Sequence, residues 1–323
     1  MKRLLTFCAL ALASTHANAA AFVTGDIFAA TGGGQVKHYN SAGTLIETLS
    51  TGQGGFTTGM AFDSSGNLYV TNFSAGNITR FSGATGAILA PNPFASPGSS
   101  PESLAFSAIG DFYVGRANGA AQRYSSGGAL QQTYGMSVNT DWIELAANQT
   151  TLFYNDEGGQ IRRWDLTTNT ALADFANNAA NGGTSSFALR ILGNGDVLSA
   201  AGSRVNQYNS VGSFLGFYDV GSVDGFFALN IDPDGTSFLS GSFNNQTLYR
   251  FTIGNFGLNT QTQTLVAGGE LFGVAIAGER TVAAPPPAVP EPATWAMMIF
   301  GFGAVGFGMR RRQTVNTRVS VAV

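Results

Sequence analysis

The chain has 323 residues, 44% of them hydrophobic and 11% charged, with 43 glycines and one cysteine. Its formal net charge is −3, but Lys2, Arg3, Arg310, Arg311, Arg312 and Arg318 sit at the two ends, against Glu291 alone among the acids, so the central body is distinctly acidic and holds one lysine, Lys37. Such a surface repels phosphate backbones and excludes nucleic-acid binding. Cys8 belongs to the N-terminal segment, so the body has no thiol for a disulfide or a thiolate metal site.

Met1-Lys2-Arg3 is a basic start, residues 4–13 are apolar, and Ala17-Asn18-Ala19 is a small-x-small site. This is the layout of a secretory signal peptide over 1–19, cut between Ala19 and Ala20. The apolar stretch is too short to cross a bilayer. Phe7 stands where a lipoprotein site before Cys8 needs a small residue.

From residue 23 onward one phrase recurs: an apolar strand, a turn of Gly, Asp and Asn, a short strand, another turn, and a strand ending in an aromatic. The clearest copy runs from Gly59 to Asn72 and on to Phe81; further copies cover 103–124, 143–164, 188–208 and 228–251. The closing aromatics fall at Tyr39, Phe81, Tyr124, Trp164, Tyr208 and Phe251, at intervals of 40 to 44 residues. That period is the blade length of a β-propeller, about 40–50 residues in four strands. Asp63-Ser-Ser-Gly66, Gly193-Asn-Gly-Asp196 and Asp232-Pro-Asp-Gly235 read as hairpin turns, and no window of the body carries a helical apolar stripe. The first phrase opens at Val23 with its second strand, whereas the last, Leu271 to Ile276, is an inner strand with nothing after it. Together they complete one blade, which removes the free sheet edges of an open array. The expectation is an all-β, six-bladed propeller over 20–280, closed by a blade shared between the two ends.

Leu68-Tyr69-Val70-Thr71-Asn72 resembles the Tyr-Val-Thr-Asn repeat of surface-layer-type propellers, and the wider phrase is similar to NHL and gluconolactonase-like repeats. That resemblance supports the fold; function has to be argued from sites. The body's one histidine, His38, beside Tyr39 on the outer part of the first blade, reads as surface or strand filler, away from the expected channel. A histidine-dependent triad or lyase therefore has nothing to work with. Aligning the inner strands puts Thr58, Glu102, Asp141, Ser185, Asp224 and Glu270 near equivalent positions at one mouth. The four acids, Glu102, Asp141, Asp224 and Glu270, are candidate oxygen ligands for Ca²⁺, where gluconolactonase-like propellers hold their metal; solvated acids at strand starts are the alternative reading. Asp232-Pro-Asp-Gly235 lacks the later glutamate of a calcium loop, Gly32-Gly33-Gly34 lacks the Lys-Ser/Thr of a phosphate loop, and Arg162-Arg163 flanks Trp164 in a strand. No catalytic residue is assigned.

Residues 281–289, with Pro285-Pro286-Pro287, read as an extended linker. Pro290-Glu291-Pro292, Trp295-Ala296, an apolar glycine-rich run to Met309 and Arg310-Arg311-Arg312 follow, then a short tail at 314–323. The run from Ala293 to Met309 reads as a C-terminal apolar sorting helix at the lower end of the length that spans a membrane, and the arginines belong on the cytoplasmic side. This segment, 290–313, resembles the PEP-CTERM sorting signal. The resemblance implies export in a Gram-negative bacterium, transient membrane engagement, processing by an exosortase, and delivery to the cell surface or matrix. The chain thus reads as an exported, non-catalytic binding or structural propeller associated with exopolysaccharide or a surface protein. A metal-dependent lactonase-like hydrolase using the acidic rim, and a protein-interaction module, are the alternatives.

Overall fold

The computed structural model describes residues 20–279 except 99, 222–224, 244, 260–262 and 267–269. The signal peptide expected at 1–19, the linker and sorting segment expected at 281–323, and Asp224 lie outside the described residues.

Six sheets follow one another along the chain. The first uses β1 (Ile27–Thr31), β2 (Gln35–Tyr39) and β3 (Leu45–Ser50); the second uses β4 (Thr57–Phe62), β5 (Leu68–Asn72) and β6 (Asn77–Phe81). The third has β7 (Pro101–Phe106), β8 (Phe112–Arg116), β9 (Gly119–Tyr124) and β10 (Leu130–Thr133). The fourth has β11 (Trp142–Leu145), β12 (Thr151–Asn155) and β13 (Gln160–Asp165), with the short β14 (Thr170–Ala171) and β15 (Ala176–Asn177) on its outer edge. The fifth is β16 (Leu189–Ile191), β17 (Val197–Ala200), β18 (Val205–Tyr208) and β19 (Phe214–Asp219). The sixth is β20 (Phe226–Ile231), β21 (Ser237–Ser242) and β22 (Thr247–Thr252); β23 (Gly257–Leu258) then crosses to pair with β19, and β24 (Gln263–Val266) returns to β22.

Closure is as the two ends of the sequence foretold. β25 (Gly273–Ile276) pairs antiparallel with β1, Ile276 opposite Ile27, so the first sheet reads β25-β1-β2-β3 from the axis outward. The inner strand of that blade comes from one end of the propeller and its other three from the opposite end, so opening the ring requires breaking a whole ladder.

Each closing aromatic occupies the third strand of its blade, opposite the first apolar residue of the second: Tyr39 faces Ile27, Phe81 faces Leu68, Tyr124 faces Phe112, Trp164 faces Leu152, Tyr208 faces Val197 and Phe251 faces Phe238. All six are buried. They anchor apolar clusters that fill the spaces between successive blades, such as Phe81 with Phe28, Val36 and Met60 between the first and second. Neighbouring blades must therefore bury one another's faces, which explains the fixed period.

The second blade stops at three strands. Where a fourth belongs, the chain carries Pro91, Pro93 and Pro97 and makes single bridges, Phe81 to Ile88 and Ile78 to Ala95. Proline has no N–H for a continuous ladder and is tolerated at such an edge. Among the described residues the helical content is one 3₁₀ turn, Ala179–Asn181.

Candidate functional site

The face to consider is where inner strands begin and where the hairpins between second and third strands turn. Register identifies its equivalent positions. Phe62, Phe106, Leu145, Ile191, Ile231 and Ile276 each pair with the first or second residue of the next strand in their blade. Counting back four residues gives Thr58, Glu102, Asp141, Phe187, Phe227 and Phe272. Around the ring this position is hydroxyl once, carboxyl twice and phenyl three times. Three inner strands carry a bulge here, between Thr57 and Met60, Pro101 and Ser103, and Phe226 and Ala228. A bulge breaks the two-residue alternation and re-aims a side chain.

The aromatic half is continuous. Phe56 packs on Phe272 with centroids 4.6 Å apart, Phe272 on Phe243 at 5.4 Å, Phe243 on Phe227 at 6.1 Å, and Phe227 on Phe187 at 4.9 Å. Trp142, from the fourth blade, reaches Phe227 of the sixth edge-to-face at 5.2 Å. The arc joins five blades. Phe56 and Phe243 remain 42% and 39% exposed, and Phe187 and Phe227 are half-buried. Phe56 also lines a groove of about 440 Å³ with Phe73, Ser74, Gly98 and Ser100.

The acidic half is compact. Glu102 stands at the β7 bulge, Asp141 immediately precedes β11, and Glu157 is in the β12–β13 hairpin. Carboxylate oxygens from these three lie within 4.8 Å of one another. Glu102 and Asp141 are each 4% exposed, Glu157 is exposed, and Asp141 Oδ2 is buried with no hydrogen-bond partner among the described residues. Burial first, then the facing Asp141 and Glu157 carboxylates, pushes the Glu102 carboxyl well above its ordinary range. Burial and Glu157 push Asp141 up to about 7, and burial raises Glu157. These are the signatures of like charges held together out of water.

Of the four expected acids, Asp224 lies outside the described residues. Glu102 and Asp141 meet, and Glu157 joins them. Glu270 is exposed and lies two residues ahead of the equivalent position, which Phe272 takes. Ser185 likewise precedes Phe187, and its carbonyl accepts from Asn178 Nδ2. Thr58 Oγ1 bonds Thr71 Oγ1 and the Pro101 carbonyl, tying the second blade to the third. The sequence does hold a signal for the aromatic half: Phe187-Ala188-Leu189, Phe227-Ala228-Leu229 and Phe272-Gly273-Val274 repeat one phrase.

One residue before those register positions (Phe62 to Ile276) the inner strands carry Ala61, Ala105, Glu144, Arg190, Asn230 and Ala275. Arg190 Nε donates to Glu279 Oε1 at 2.8 Å, and its Nη1 lies 3.6 Å from Glu144 Oε2. Glu279 Oε1 also accepts from the Ile231 N–H. Arg190 thus links the fourth and fifth blades to Glu279, which ties in the sixth through Ile231. His38 is fully buried rather than at the surface: Nε2 meets Asp26 Oδ2 at 2.9 Å, Nδ1 meets Glu47 Oε1 at 3.1 Å, and the ring stacks on Phe28. It is engaged within the first blade, away from the mouth.

The PEP-CTERM protein-sorting motif matches residues 288–312, which implies exosortase processing and export to the cell envelope or surface. No curated protein matches the sequence. Among solved structures, the chain is similar to one in a crystal structure of a nidogen/laminin complex, with TM-score 0.63 and 13% identity over 78% of this chain and 98% of that one. It is also similar to the WD40 β-propeller domain of Doa1, with TM-score 0.57 and 15% identity over 77% and 81%. At such identities the likeness is one of fold.

Proposed function

We propose that the chain is an exported surface propeller that binds extracellular polysaccharide at the mouth described above, without catalysing its turnover. The observation that carries this reading is the division of one ring position into three phenylalanines and two carboxylates. Phenyl rings offer negative faces to the polarised C–H groups of a sugar ring. Carboxylates accept hydrogen bonds from sugar hydroxyls. A concave site with a wide apolar lining and a few convergent polar groups is the usual form of a ligand site. Exposed phenylalanines gathered on one face, rather than scattered, mark a contact surface. The sorting motif supports the setting, since it directs the chain to the compartment where such polymers lie.

The test uses the purified full-length protein and the exopolysaccharide of the producing strain. Retention on the immobilised polymer is expected, with no soluble product over the same period. The double variant Phe56→Ala/Phe243→Ala removes the two exposed rings and is expected to reduce retention at least tenfold. Absence of retention, or equal retention by the variant, refutes the glycan reading. Release of sugar, or turnover of a lactone, refutes the non-catalytic one.

A further inference from the structure

We propose that Glu102, Asp141 and Glu157 form a calcium site in the acidic half of the mouth. Three carboxylates from separate elements present oxygens within 4.8 Å of one another. Asp141 belongs to that set, is 4% exposed, and keeps a buried oxygen, Oδ2, that has no hydrogen-bond partner among the described residues. Leaving a buried carboxylate oxygen unpaired is costly, and a cation is the partner that satisfies it. An all-oxygen set selects a hard ion, and Ca²⁺ accepts a flexible shell that three carboxylates from separate elements and added waters can fill, whereas Mg²⁺ demands a near-ideal octahedron. Glu157 is exposed on its hairpin, which leaves an entry path and room for the waters that complete the shell. The inference does not depend on polysaccharide binding.

Calorimetric titration of the full-length protein with CaCl₂ after chelator treatment tests it. One saturable site per chain is expected, together with a rise in Tm that EDTA reverses. Glu157→Gln, on an exposed hairpin and so without consequence for folding, is expected to weaken binding at least tenfold, and Glu102→Gln further. Glu270→Gln serves as the acidic control and should bind as the parent does. No calcium heat in the parent protein, or unchanged affinity in both Glu157→Gln and Glu102→Gln, overturns the proposal.

A separate contact carries a second inference. The Ala20 backbone nitrogen donates to Glu47 Oε1 at 2.9 Å, the same oxygen that meets His38 Nδ1. Ala20 is the residue expected to follow the signal cleavage. We infer that this cleavage creates a structural ion pair. Water adds across the Ala19–Ala20 bond, Ala19 leaves as a carboxylate, and the Ala20 nitrogen becomes an ammonium held against Glu47. An amide hydrogen bond thereby becomes a charge-assisted one, placed over a cluster with two carboxylates, Asp26 and Glu47, and one imidazole. The folded propeller is then more stable after processing than before.

The test compares the exported protein, its N-terminus identified by mass spectrometry, with the same protein acetylated at its α-amine. The free amine is expected to raise Tm by about 2 °C or more in the parent and to have no effect in Glu47→Gln. A start other than Ala20, or equal Tm for the free and acetylated forms of the parent, overturns it.

Discussion

Replacing Arg190 with methionine removes the cation that pairs with Glu279 and Glu144 while keeping an unbranched apolar stem of similar reach. Arg190 is 7% exposed, and its partners Glu279 and Glu144 sit at 2.8 and 3.6 Å. Taking away one partner of a buried ion pair leaves the other uncompensated, at a cost of about 3–5 kcal/mol. A domain of this size shifts by about 2 °C per kcal/mol, so Tm should fall by about 6–10 °C. Differential scanning fluorimetry of Arg190→Met, Glu279→Gln and the double variant separates lost pairing from lost packing. The double variant should be less destabilised than the two single effects added together, by about 1 kcal/mol or more. A single-variant shift under 2 °C, or strict additivity in the cycle, refutes the claim that this cross-link stabilises the ring.

Three further outcomes are expected. Burial, opposed by Arg190 and reinforced by Glu279, pushes Glu144 up to about 8. A carboxyl whose folded value is raised takes up a proton on folding, so its contribution is full below its ordinary value of 4.5 and is lost as pH rises through about 8. Glu144→Gln should flatten the fall of stability across that window by up to about 1.4 kcal/mol per pH unit, measured as Tm against pH; an unchanged slope contradicts it. A methyl group on Gly273 would strike the Thr58 carbonyl of the next inner strand, so Gly273→Ala should cost about 1–3 kcal/mol by overpacking, read from urea unfolding. Deleting residues 290–323, which contain most of the sorting motif, should change where the protein accumulates on cell fractionation; unaltered distribution counts against the signal.

The fold was legible because it rests on patterns that survive in one dimension. The closing aromatics recur at 40–44 residues because each fills the space between its blade and a neighbour, and one blade spacing needs nearly one length of chain. The unmatched strands at Val23 and Leu271 announced the shared blade because a lone inner strand has no other partner. The site was legible only in part. Glu102 and Asp141 were found because an acid just before an inner strand is visible in the sequence. Glu270 joins that set in the sequence alignment although Phe272 takes the equivalent position in the register, and Asp224 lies outside the described residues.

Sequence alone thus determined the all-β class, the number of blades, the manner of closure and the sorting segment, because hydrophobic periodicity and local motifs are properties of neighbours along the chain. Tertiary structure decided which side chains meet at the mouth. Bulges at the starts of β4, β7 and β20 break strand alternation, and approach segments of unequal length hide the register. Glu157 reaches Glu102 and Asp141 from a hairpin, and Arg190 finds Glu279 at a separation of 89 residues. Such meetings depend on the angle at which each blade is set around the axis, and that angle follows from the packing of whole sheets.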